Sequence, residues 1–495
     1  MRYVLLLTAC LGLALSGCIG DADPGGNARD GGSVVVGVPA LPTTIDPAVA
    51  SDPGALQALW LVYTPLLTYR HAEGREGTEL IAGLARDLPE ISDDGLTYRL
   101  RLRRGLRYSN GALVRPGDFE RAIERVRALA SPLAALYGGI KSIDADRASG
   151  RITIRLVTPD PAFSQVLALP SSAPVPQGTP QTERSTRPLP GVGPYRIQDV
   201  RPGSRVVLTR VDDFDVPGVS PGHVDRIALV SRGSPEQQTR AVITGSLDVM
   251  QEPAPTDLLP EIRSKYRDSY REEARASTIA LVPDSRLAPL DDAAVRRAIG
   301  EALGGEEVER RFKGLLTTSC TVVPEILSGF QAAGSCPYDD RDDPSDLVSA
   351  REQIDEAGAE DAPLRVVPGP GISGAVARDV VRTLRKIGLA ASLRSGEGPE
   401  LRIERLAPLA VHPAAYLEPL ALNVFDEQLS DALAGAVEDP EEGWGEVDQR
   451  IVSEAYAIPL GSELWPSLFS ERVDTDNCAR SHPVFGVDLS ALCLE

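Results

Sequence analysis

Histidine, cysteine and long apolar runs are all scarce in this chain, and each scarcity removes a class of function. There are four histidines in 495 residues, His71, His223, His412 and His482. No two share a helical face, so an H-E-x-x-H metal site is excluded. No G-x-S-x-G elbow and no paired catalytic Cys and His occur, which leaves acyl-transfer chemistry without a nucleophile. The six cysteines contain no C-x-x-C pair, the spacing a structural zinc site would use. One apolar run, Tyr3 to Ala14, stands out, and it is too short to span a bilayer. Basic residues are outnumbered 51 to 71 by acidic ones, a net charge of −20. That balance excludes nucleic acid and anionic lipid as partners. No cofactor and no metal are expected.

What the chain does have begins at its first residues. Arg2, the apolar run and then Leu15-Ser16-Gly17-Cys18 read as a secretory signal. Small residues before a cysteine resemble the bacterial lipoprotein box. That resemblance implies a signal peptide over 1–17, cleavage before Cys18 and a lipid on its thiol. An ordinary signal with an incidental cysteine is the alternative. Residues 18–33, rich in Gly, Asp and Ala, read as a flexible tether. The remaining 478 residues are too many for a single core, so two lobes are expected. The implied place is the outer face of the cell membrane, anchored by lipid and not spanning it.

Outside Cys18, four cysteines remain beyond the signal. Cys320 and Cys336 are 16 apart, and Cys478 and Cys493 are 15 apart. In an oxidising compartment these suggest two disulfides. Sequence proximity favours 320–336 and 478–493 over the other two pairings, and loops of this size each stabilise by about 3 kcal/mol. A zinc site built from all four thiolates is the alternative.

Gly369, Gly371 and Gly374 stand in the spacing G-x-G-x-x-G between an apolar run and a helical pattern. This is the outline of a dinucleotide-binding turn. Nicotinamide cofactors are cytosolic, and the acidic ribose partner expected about 20 residues later is missing. The glycines are therefore expected to serve a strand-to-helix turn. "DADRASG", Asp144 to Gly150, reads as a hairpin turn and not a calcium loop, since Ala148 offers no ligand.

Ser33 to Val38 is a β-branched run ended by Pro39. Gly54 to Leu67 reads as helical, with Trp60 in either core or cleft. Thr97 to Leu102 alternates as a half-buried strand does. Asn110-Gly111 marks a turn, and an amphipathic helix runs from Pro116 through Val126. These segments carry a resemblance to the extracellular solute-binding proteins of the oligopeptide, dipeptide and nickel class, the binding subunits of ABC importers. Its marks are Ile45-Asp46-Pro47, Tyr63 to Leu66, the block Asp94 to Phe119, Gly191-Val192-Gly193-Pro194-Tyr195 and Gly245-Ser246-Leu247-Asp248-Val249. Later marks are Leu290 to Ala302, "DLVSAREQIDEAG", "LRKIGLAASL" and Asp431 to Leu460.

The resemblance implies an α/β, type II periplasmic-binding-protein-like fold. Two lobes, 34–280 with 461–495 returning to it and 281–460, are joined by crossover strands near 280 and 460. A ligand cleft lies between them. It implies no enzymatic activity, a small solute such as a peptide as ligand, and ABC permease subunits as partners. Candidate ligand residues are Pro39, Ala40 and Leu41 after the first strand, Met250, Gln251 and Glu252 after the Asp248 motif, and Glu463 and Trp465 on the return crossover.

The sequence departs from the class over Glu404 to Asn423. Peptide-binding members carry a Trp-x-x-Asp-like segment there, whose aspartate pairs with the peptide's α-amino group. Here the stretch has neither Trp nor Asp. Either Glu404 or Glu418 substitutes, or the ligand is not a free peptide, or the cleft binds nothing small. A solute-binding fold acting as an envelope interaction or regulatory lipoprotein, without transport, is the second reading.

Overall fold

The computed structural model describes residues 30–303, 312–332, 346–393, 399–422, 424–440 and 442–495. The signal peptide, most of the tether, Cys18, Cys336 and Asn423 lie outside these residues. A five-stranded sheet forms around Ser33–Val38, in the order Val249–Met250, Ser33–Val38, Arg226–Ser231, Arg205–Arg210, Tyr195–Arg201. Ser33–Val38 runs parallel to both neighbours. A strand hydrogen-bonded on both sides and covered on both faces suits a run of valines, and Val34, Val36 and Val38 are buried. A four-stranded antiparallel sheet, Glu90–Ile91, Thr97–Arg101, Arg151–Leu156 and Ile140–Asp146, packs Tyr98 and Leu100 inward. Asp144 to Gly150 lies at the hairpin between its last two strands.

The second sheet has six strands: Leu316–Thr317, Ile458–Leu468, Tyr270–Pro283, Glu400–Leu406, Pro363–Pro368, Ala390–Ser392. Its two long members are the crossovers. They pair antiparallel from Tyr270↔Leu468 to Leu281↔Ile458, with a break in register between Ala274 and Thr278. Such a break leaves extra residues unpaired and bends the strand, here at Arg275, Ala276 and Ser277. Beyond it, Thr278 to Pro283 pairs with Glu400–Leu406. The two lobes thus meet across strands that belong to both.

The class motifs are clamps. Asp46 is fully buried and receives Arg125 on both oxygens, Nη1 to Oδ1 at 2.6 Å and Nη2 to Oδ2 at 2.5 Å. Asp248 accepts from the Val35 amide at 2.8 Å, from Ser470 Oγ at 3.0 Å and from Arg472. It ties the first strand to the returning tail. Tyr63 donates to the Leu189 carbonyl and Tyr195 to the Val224 carbonyl. A Cβ at Gly191 would stand 2.3 Å from the Val62 oxygen, and one at Gly193 would stand 2.4 Å from the Leu61 oxygen. Only glycine permits that approach. The helix expected over Gly54 to Leu67 closes early, spanning Pro53–Trp60, because Thr64-Pro65 cannot continue it.

The C-terminal tail returns to the first lobe. Gln57 Nε2 donates to the Val487 carbonyl at 2.8 Å. Trp60 is buried and stacks on His71, centroids 3.9 Å apart, and on Phe485 at 4.5 Å. It is a core residue. His71 Nδ1 meets Asp488 Oδ2 at 2.9 Å, so this nitrogen carries the proton. Burial raises the Asp488 carboxyl, but His71 and Ser490 outweigh it and hold it at about 2. Burial also pushes His482 down to about 3, keeping its ring neutral. Cys478 is bonded to Cys493, Cα atoms 5.5 Å apart, and Cys320 is disulfide-bonded as well.

Candidate ligand cleft

Pro39 and Ala40 are exposed just beyond the carboxyl end of the first strand, and Leu41 is half-buried against its core. Gln251 and Glu252 follow the neighbouring parallel strand, and the Gln251 amide donates to the Gly37 carbonyl at 2.8 Å. The two segments lie side by side at strand carboxyl ends, where open α/β sheets hold ligands. Glu252 is exposed; Gln251 donates from Nε2 to Gln57 Oε1 at 2.8 Å.

Met250 does not belong with them. It is 1% exposed and packed with Val242, Leu247, Leu259 and Ile262 in a small core beneath the sheet. Its sulfur accepts from Thr239 Oγ1. The two-residue strand Val249–Met250 is covered on both faces, so neither residue reaches a ligand.

Glu463 and Trp465 are brought together with residues the sequence did not single out. Glu463, 8% exposed, accepts from Arg405 Nε at 2.7 Å and Nη2 at 2.8 Å, and from Ser277 Oγ at 2.7 Å. Its carboxylate already accepts three hydrogen bonds within the chain. Trp465, half-buried, lies under Arg275, whose guanidinium carbon is 3.9 Å from the ring centroid. Arg275 occupies the register break, where alternation along the strand is lost. Tyr416 donates to the Ala276 carbonyl at 2.7 Å and fixes the same kink. Gly371 lies against this cluster. Its φ is +77°, as a turn requires, and a Cβ there would stand 2.6 Å from Arg405 Nη1. The glycine serves the turn, and it also leaves room for Arg405.

In the stretch expected to hold the amino-group anchor, Glu404 pairs with Arg402 at 2.9 Å. Glu418 is half-buried, and burial, followed by repulsion from Asp160 of the first lobe, pushes its carboxyl up. Glu404 thus already has a cationic partner, and Glu418 is partly withdrawn from water. Other groups join the lobes. Tyr69 OH accepts from the Val411 amide at 3.1 Å, and Thr78 Oγ1 accepts from the Ser328 amide at 2.8 Å. Arg75 donates to the Glu325 carbonyl at 2.7 Å.

Nothing local in the sequence marked the crossover cluster. The partner that engages Glu463 is 58 residues away in sequence.

Comparison with known proteins agrees with this architecture. The chain spans 94% of its length against "Clavulanic acid biosynthesis oligopeptide binding protein 2", covering 96% of that chain with a TM-score of 0.82 and 20% identity. It likewise overlays DppA from Helicobacter pylori in complex with peptide STSA, over 94% of this chain and 99% of that one, TM-score 0.74, 18% identity. Among curated proteins it is 25% identical over 333 residues to the glutathione-binding protein GsiB of Escherichia coli O1:K1, covering 66% of this chain and 61% of that relative. The GsiB of Salmonella choleraesuis is 26% identical over 370 residues, 71% of this chain and 65% of the relative. The match therefore spans less than two thirds of the length of these relatives. Residues 79–415 match the model of the bacterial extracellular solute-binding proteins, family 5 middle region. With two α/β lobes meeting over shared crossover strands, the chain belongs to the family 5 extracellular solute-binding proteins.

Proposed function

We propose that this chain captures a peptide or peptide-like solute between its lobes and delivers it to the permease subunits of an ABC importer. The observation that carries this reading is the pair of long crossover strands, Tyr270–Pro283 and Ile458–Leu468, with charged and aromatic side chains at their kink. Lobe bounds of 34–280 with 461–495, and of 281–460, place the hinge within these strands. Ligand that touches both lobes favours the closed arrangement, which a permease then distinguishes from the open one. The relatives, a glutathione-binding protein and a protein solved in complex with a peptide, support small peptides as the class. The departure at Glu404 to Asn423 favours a second reading, an envelope lipoprotein with no transported solute.

A panel of di- to nonapeptides and glutathione, followed by thermal unfolding, separates the two. A saturable rise in the unfolding midpoint supports capture, and a flat response across the panel supports the second reading. Membrane attachment is part of the proposal, through lipid on Cys18. The Cys18→Ser variant is expected in the soluble fraction, measured by fractionating the producing cells. If it stays with the membrane, the anchor lies elsewhere.

A further inference from the structure

We propose that Arg275, stacked on Trp465 where the crossover strands pass between the lobes, anchors a carboxylate group of the captured solute. This rests on the reading of the chain as a solute receptor and names the chemistry its cleft selects. The first observation is an unspent cation. A guanidinium has five N–H donors. Among the described residues, Arg275 makes one hydrogen bond, from Nη2 to the Val484 carbonyl at 3.5 Å, and no ion pair. Its neighbours Arg405 and Glu463 neutralise each other, so the cluster carries one net positive charge. The ring of Trp465 holds the guanidinium by a cation–π contact and leaves its donor edge free. A planar fork with open donors matches a carboxylate in bidentate fashion. Burial pulls Arg275 down to about 10, against the opposing effect of the nearby Glu463 carboxylate.

The second observation is the missing anion. From Leu406 to Asn423 the only acidic residue is Glu418, which is half-buried with its carboxyl pushed up by burial and by Asp160. A crossover cation with open donors, in a chain that lacks the Trp-x-x-Asp anchor, matches the acidic end of a zwitterion better than its ammonium end. Burying an ammonium there without a partner is costly.

The test uses three probes of one length: trialanine, trialanine amide and N-acetyl-trialanine, each titrated calorimetrically into the purified chain. Glutathione, with two carboxylates, is the fourth. The free acid and its acetylated form are expected to bind within about threefold of each other, whereas the amide binds at least tenfold more weakly. In Arg275→Gln the preference for acid over amide should vanish. Arg275→Lys, which keeps the charge, should retain part of that preference and guards against a variant that does not fold. Equal binding of acid and amide overturns the proposal and leaves the receptor reading standing. So does loss of binding on acetylation, which would point to an ammonium anchor. Binding by glutathione alone, lost in Arg275→Gln, supports the proposal with a side-chain or γ-linked carboxylate as the group held. If none of the four binds, this proposal falls, and the wider peptide panel decides the receptor reading separately.

Discussion

Replacing Asp46 by alanine is expected to destabilise the chain by about 3–5 kcal/mol, the cost of leaving one member of a buried ion pair uncompensated. Both of its oxygens face Arg125, and the amides of Ala48 and Arg184 donate to them as well. With the carboxylate gone, the Arg125 guanidinium keeps only the Pro180 and Thr182 carbonyls, in a site 1% exposed to water. Whole-domain stabilities are about 5–15 kcal/mol, so the single variant loses a large share. Urea denaturation followed by circular dichroism measures the loss. The double variant Asp46→Leu with Arg125→Met should recover much of it, because a pair of apolar groups of similar volume leaves no charge buried alone. A midpoint unchanged by Asp46→Ala would show that the pair contributes no more than a surface contact.

Glu463→Ala is expected to cost about 2–4 kcal/mol in the protein without any ligand, as truncating one partner of a hydrogen-bonded charge pair does. Arg405 would lose both of its bonds to the carboxylate and Ser277 its acceptor. Arg405 would then be left without its counter-ion, beside the positive charge of Arg275. The prediction separates two roles for this residue. A solute contact would weaken binding and leave the unliganded midpoint where it was. A structural clamp lowers that midpoint first, and Glu463→Gln should recover part of the loss by keeping an acceptor for Ser277.

The features that made the fold legible are clamps with fixed geometry. Asp46 and Asp248 each hold backbone and an arginine, and Tyr63 and Tyr195 each hold one carbonyl. Gly191 and Gly193 allow one close approach to Leu61 and Val62. Such residues can be read as motifs because their partners belong to the fold itself. The alternation of Thr97 to Leu102 was legible for a similar reason, since one face of that strand meets water.

The candidate site was legible only in part. Pro39 to Leu41 and Gln251–Glu252 follow from strand ends that any chain of this architecture possesses. Met250 was misplaced because a two-residue strand with both faces covered has no exposed side to predict. Arg275 escaped notice because it lies in a register break, where the period of two that locates cleft-facing residues does not hold. Glu463 was found by position and misread by role. Its partners, Arg405 and Ser277, come from other strands, and nothing local in "GSELW" announces them.

The most direct test of the account is the unfolding midpoint of the purified chain against the peptide and glutathione panel. A solute that binds the folded chain alone, at 100 times its Kd, raises stability by about 2.7 kcal/mol. The account predicts at least one panel member with a saturable shift of that size, and a shift that weakens in Arg275→Gln. A panel with no shift at any concentration up to millimolar would contradict solute capture and leave the envelope lipoprotein in its place.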